Sequence, residues 1–186
     1  MTSLSTHLND KELYQIDRDE VDFYKDLVID VPLQKLIDKA SQKRNDYWGD
    51  VITYSRKVFV PLTNMCRDTC SYCTFVKHPD DPEAKIMSPQ EVLSAAREGE
   101  KKGCKELLFS MGEKPENRYI KPRRALEALG YKTMTDYLTD MCKLVIANTS
   151  LLPHVNTGTL NEYEFMKLKN VSASRGMMLE TTSKRL

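Results

Sequence analysis

The chain has 186 residues, with 28 Lys and Arg against 27 Asp and Glu, a formal net charge of +1, and 40% hydrophobic residues. It is too apolar for a disordered chain and too neutral for a protein that binds nucleic acid by neutralising phosphates. No apolar run approaches the roughly 18 residues of a membrane span. The N-terminal MTSLSTHLND lacks the basic and apolar regions of a secretory signal. The expectation is a cytoplasmic protein without nucleic-acid or membrane partners, in which clustered thiols more often bind metal than form disulfides.

Residues 1–50 read as a helical extension. Between 10 and 30 there are eight acidic and three basic residues, interleaved with apolar ones at three- and four-residue spacings, which predicts one or two amphipathic helices with a solvated acidic face. A further helix is predicted over 32–47, with Leu33, Leu36, Ile37 and Ala40 on one face. From residue 51 to 186 the pattern becomes strand, loop, helix, repeated. Residues 58–62 form an apolar, β-branched run suited to a buried parallel strand. A polar loop over 64–87 follows. Ser88, Pro89 and Glu91 then supply an N-cap, a proline at N1 and a capping box for a helix that stops near Gly103. The second strand is predicted over 106–111. Helices over 123–129 and 134–147, broken at Gly130, lead to a third strand over 151–155, with Pro153 at its end because proline cannot donate to the ladder. A short helix over 161–168 precedes a fourth strand over 176–180. This alternation predicts an α/β fold with parallel strands.

Cys66, Cys70 and Cys73 are spaced C-x3-C-x2-C on the loop after the first strand. Three thiolates so close on a loop can wrap one small metal centre. Structural zinc takes four closed ligands and simple ferredoxin clusters take four cysteines, so three leave one position open. A fourth thiolate from Cys104 or Cys142 would instead close a zinc or electron-transfer site. Both of those, however, sit in stretches where cysteine serves as a small buried hydrophobe. Coincidental spacing is the remaining alternative.

The segment resembles the signature loop of the radical S-adenosylmethionine (SAM) superfamily, C-x3-C-x-aromatic-C, with Tyr72 in the aromatic position. The resemblance implies a βα barrel whose three cysteines hold a [4Fe-4S] cluster, with SAM on the fourth iron. Reductive cleavage of SAM then gives a 5′-deoxyadenosyl radical that abstracts hydrogen from substrate. It also implies that Tyr72 lies beside SAM, that Gly112 and Glu113, after the second strand, contact the SAM amino group, and that Glu180 binds its ribose. Read alone, these are a polar turn and a solvated strand end. His154 and Asn156 lie near the end of the third strand, where barrel active sites collect, and are candidates to face substrate.

VPLTNMCRDTCSYCTF, FSMGEKPE, LLPHVNTG and GMMLETTSKRL together resemble a narrower family, the radical SAM subunit of 7,8-didemethyl-8-hydroxy-5-deazariboflavin synthase, over roughly residues 50–186. That resemblance implies a lyase of deazaflavin (coenzyme F-420) biosynthesis. A partner radical SAM synthase subunit would join a hydroxybenzyl group to a ribityl diaminouracil. This subunit, fed by a reductant protein, would then abstract hydrogen from the adduct, with cyclisation and loss of ammonia. Thr157 departs from the family, which would carry proline there. Four βα units make part of a barrel that ordinarily takes about 250 residues, so a truncated or split radical SAM barrel over 51–186 is expected. The alternatives are another small-molecule substrate, or a non-catalytic Fe-S or zinc binding fragment.

Overall fold

The computed structural model describes residues 29–178 together with Asp22 and Lys25. The chain divides into two compact units, Met1–Thr53 and Tyr54–Leu186. The helices expected over 10–30 lie largely outside the described residues.

In the first unit, α1 (Leu33–Trp48) starts after Pro32 and ends at Gly49, whose positive φ of 59° suits glycine. None of its residues is buried, and Leu33 on the expected apolar face is 73% exposed. The helix therefore rests on the propensities of its Leu, Lys, Gln and Arg residues, without a buried stripe.

The second unit is a four-stranded parallel sheet in the order β1 (Lys57–Pro61), β2 (Glu106–Ser110), β3 (Leu152–Asn156), β4 (Ser174–Gly176). Between the strands run α2 (Pro89–Lys101), α3 (Ile120–Ala128), α4 (Met134–Asn148) and α5 (Glu162–Lys169). Side chains alternate across the sheet. Val60, Leu107, Phe109 and Val155 point to the helix side and form one core with Val92 and Ala96 of α2 and Leu138, Cys142 and Val145 of α4. The Ser88 capping box has both halves in place. At the other end of α2, a Cβ on Gly99 would come within 2.6 Å of the Val58 side chain, so glycine sets how closely the helix lies on β1.

On the opposite face, the strand register aligns Phe59, Leu108, His154 and Ser174 in one row and Pro61, Ser110, Asn156 and Gly176 in the next. This inner face has no helix among the described residues, and Phe59 on it is 54% exposed.

Two local expectations change. Pro153 is the second residue of β3, opposite Leu107, not its end. Its carbonyl accepts from Ala173 N–H at 2.9 Å, so the N–H that proline lacks would face the segment before β4 begins, where no ladder partner is lost. The fourth strand starts two residues earlier than its apolar run, at Ser174, because its pairing follows His154 and Asn156 and not its own hydrophobicity. Leu179 and Glu180 lie outside the described residues.

Candidate functional site

The first cysteine is placed by a continuation of the β1–β2 ladder. Leu62 N–H donates to Ser110 O (3.2 Å), Gly112 N–H to Thr63 O (3.0 Å) and Arg67 N–H to Glu113 O (2.9 Å). The loop's return is pinned as well. Thr63 Oγ1 donates to Lys85 O, Asn64 spans Glu83 O and Lys85 N, and Met87 N–H donates to Leu62 O. Arg118 adds a bond from its guanidinium to Arg67 O at 2.6 Å. Residues 64–87 are thus a loop with tied ends, carrying its cysteines at the C-terminal edge of the sheet.

Cys66, Cys70 and Cys73 are free thiols and line one cavity of about 280 Å³, together with Tyr72, Glu113 and Asn156. Met177 and Met178, just after β4, line it as well. Two backbone groups point at Cys66 Sγ: Glu113 N–H at 3.1 Å and Asp68 N–H at 3.4 Å. Burial pushes the Cys66 thiol up from its ordinary value, and these two N–H groups pull it the other way by favouring the thiolate. Glu113 is nearly buried. Its Oε1 accepts from the Arg67 guanidinium and from Thr159 Oγ1. Gly158, at φ 76°, stands where a Cβ would run into Glu113 Oε2 at 2.3 Å, so the turn after β3 is shaped around this carboxylate.

The fifth and fourth cysteines of the chain do other work. Cys142 is in the core, its thiol pushed up to about 12 by burial, and Cys104 packs against that core. Neither lines the cavity. Gly112 sits against the cysteine loop, with its Cα facing Met65 O and Cys66 Cβ. His154 is mid-strand on the inner face, below Asn156, and is outside the cavity lining. Glu180 falls outside the described residues. Sequence reasoning missed Arg67 and Thr159, the partners of Glu113. Arg67 and Glu113 stand 46 residues apart, and only the β1–β2 register joins them. It also missed Glu116, a buried carboxylate whose Oε1 accepts from Met134 N–H at 3.0 Å and so caps α4, holding the Glu113 loop to that helix.

Residues 60–147 match the model of the radical SAM superfamily. The matched stretch holds the three cysteines, Gly112 and Glu113. It is 48% identical over 139 residues to FO synthase of Mycobacterium leprae (strain TN), a match covering 73% of this chain and 16% of that protein. It is 44% identical over 151 residues to the 7,8-didemethyl-8-hydroxy-5-deazariboflavin synthase of Methanobrevibacter smithii, covering 81% and 43% respectively. The fold is similar to that of methylornithine synthase, with a TM-score of 0.63 at 18% identity over 90% of this chain and 45% of that one. It is also similar to the FeFe-hydrogenase maturase HydG from Carboxydothermus hydrogenoformans, with a TM-score of 0.57 at 21% identity over 76% and 30%. The chain thus spans less than half the length of these relatives. No described helix is long and apolar enough to cross a membrane.

Radical SAM superfamily enzymes use a [4Fe-4S] cluster and SAM. Among the described residues, no three His, Cys, Asp or Glu side chains are gathered tightly enough for a single metal ion. A four-iron cluster asks for something different, since each thiolate binds its own iron and the sulfurs stand further apart. Three free cysteines on one cavity, without a fourth thiol there and with N–H donors already on Cys66 Sγ, are a donor set that fits it.

Proposed function

We propose that this chain is the cluster-bearing part of a radical SAM enzyme that forms the deazaflavin chromophore from a hydroxybenzyl-ribitylaminouracil adduct. The observation that carries this reading is the single cavity with three thiols and no fourth, in a domain 42–48% identical to deazaflavin and FO synthases. Residues 51–186 serve as the barrel domain and 1–50 as a helical extension. A partner radical SAM synthase subunit supplies the adduct, a reductant protein supplies the electron, and the setting is the cytoplasm.

Cys66, Cys70 and Cys73 hold the cluster, which with SAM supplies a 5′-deoxyadenosyl radical for hydrogen abstraction. Glu113 offers a carboxylate to the SAM ammonium, with Arg67 and Thr159 fixing its orientation through Oε1. Gly112 lets the Glu113 backbone come close enough to donate to Cys66 Sγ. Tyr72 flanks the cavity, and Glu180 binds the ribose. Asn156 faces the substrate from the third strand, with His154 beneath it, and Met177 and Met178 line the same cavity.

The test is anaerobic reconstitution with iron and sulfide, with spectra taken before and after SAM is added. A cluster spectrum that shifts with SAM is expected, together with deazaflavin fluorescence once adduct and reductant are supplied. A cluster that ignores SAM would mark a binding module instead. A SAM response with 5′-deoxyadenosine formed but no deazaflavin, in a longer natural form as well, would point to another substrate.

A further inference from the structure

The turn after β2 holds Lys114 at φ 37°, the one non-glycine residue at positive φ among the described residues. A side chain in that left-handed region costs free energy, because its Cβ crowds the neighbouring carbonyl, and glycine escapes the cost. The turn after β3, which stands against Glu113 Oε2, meets the same backbone demand with Gly158. Such a conformation persists only where the surroundings hold it, and here the hold comes through the lysine's own ammonium.

Lys114 Nζ reaches Glu164 Oε2 on α5 at 2.7 Å, and the two side chains are only 16% and 14% exposed. Glu164 is itself fixed. Its Oε2 accepts from Asn161 N–H at 2.9 Å, and its Oε1 from Thr135 Oγ1 of α4 at 3.3 Å. The pair therefore ties the turn to both helices, away from most of the solvent that weakens exposed ion pairs. Glu113, immediately before it, is held from the opposite direction. Its N–H donates to Cys66 Sγ at 3.1 Å, its carbonyl accepts from Arg67 N–H, and its carboxylate accepts from Arg67 and Thr159. All of those partners lie in the cysteine loop or in the turn after β3. Lys114 is the first residue beyond Glu113 that is anchored to the helix layer, and Pro115–Asn117 then form a single 3-10 turn.

We infer that Lys114 is a positioning residue for the cysteine cavity. Its tether to Glu164 holds the turn against α4 and α5, and so aims the Glu113 N–H at Cys66 and the Glu113 carboxylate into the cavity. That this carboxylate meets the SAM ammonium rests on the proposed function. The N–H on Cys66 Sγ does not, since it is present without SAM.

The experiment measures two quantities on the anaerobically reconstituted full chain: the midpoint potential of the cluster without SAM, and SAM affinity by spectral titration. An N–H donated to a cluster sulfur favours the reduced state, so losing it lowers the potential. Lys114→Gly relaxes the backbone and removes the tether. It is expected to load iron fully, to show a lower potential, and to bind SAM about tenfold more weakly, the worth of one hydrogen bond. Glu164→Gln, which removes the anion from the other end, should shift both in the same direction, and Lys114→Arg, which keeps the pair, should restore both. Asn161→Ala weakens the α5 cap but leaves the tether, so it should lower the thermal midpoint while the potential and the SAM affinity stay at wild type. A wild-type potential in Lys114→Gly, undiminished SAM affinity in that variant, or an Asn161→Ala potential shifted as far as that of Lys114→Gly would each overturn the assignment. A potential lowered in Lys114→Gly, restored in Lys114→Arg, in a chain whose wild type ignores SAM would uphold the positioning role and fail the SAM reading instead.

Discussion

Gly112 has no room for a side chain. A Cβ there would fall 2.0 Å from Met65 O and 2.8 Å from Cys66 Cβ, and the carbonyl is backbone, which cannot turn aside as the tip of a flexible side chain would. Gly112→Ala is therefore expected to cost about 1–3 kcal/mol, as overpacking does, and to push the Cys66 loop away from β2. Urea unfolding reads the first effect, and iron bound per chain after reconstitution reads the second. Wild-type stability with full iron loading would show that the loop yields freely. Gly112 is legible in the sequence as a close approach, but what approaches it is not, since Met65 comes through a strand pairing. The cysteines divide in the same way. Their spacing is local and readable, whereas the contrast between Cys70, exposed on the loop, and Cys142, buried with its thiol pushed up to about 12, depends on the folded core. Brief iodoacetamide treatment of the iron-free native chain at neutral pH should label Cys70 and leave Cys142 unmodified until denaturant is added, as peptide mass spectrometry would show.

At the scale of elements, α5 shows how a short helix couples to the turn beside the site. Asn161 and Glu164 form a capping box, and Glu164 also receives Lys114 Nζ at 2.7 Å and Thr135 Oγ1. Burial raises the Glu164 carboxyl, but the Lys114 bond and charge and the Asn161 N–H outweigh it, so its pKa is lowered in the folded chain. A carboxylate harder to protonate when folded contributes stability above its ordinary value of 4.5 and loses it as pH falls through the lower folded value. Glu164→Gln should therefore lower the thermal midpoint at pH 7, and the difference from wild type should shrink below about pH 4. A constant difference across that range would assign the effect to packing. Asn161→Ala should cost about 1 kcal/mol at either pH, as lost N-caps do. Caps of this kind are legible because their partners lie three residues apart, as the Ser88 box also shows. The onset of β4 and the tolerated Pro153 are not, because a ladder partner from another strand decides them.

At the scale of the whole molecule, the parallel α/β order is readable from the alternation of apolar runs and capped helices. The two-unit division draws on a different signal, the fate of apolar side chains. In Tyr54–Leu186 they converge on one core beneath α2 and α4, whereas in α1 none is buried, and Trp48, Val51 and Ile52 are each at least 69% exposed. Periodicity shows that a helix has an apolar face without showing whether anything covers it. Residues 51–56 between the units are exposed and have no regular structure, the condition under which proteases cut. Limited chymotrypsin treatment should therefore cleave after Trp48 or Tyr54 before it cuts within α2 to α5. The larger fragment should keep the helical circular dichroism of the sheet unit and unfold with an unchanged midpoint, because the buried core lies within it. A midpoint lowered by more than about 4 °C, the equivalent of roughly 1 kcal/mol in a domain of this size, would show instead that the first unit contributes to the stability of the second.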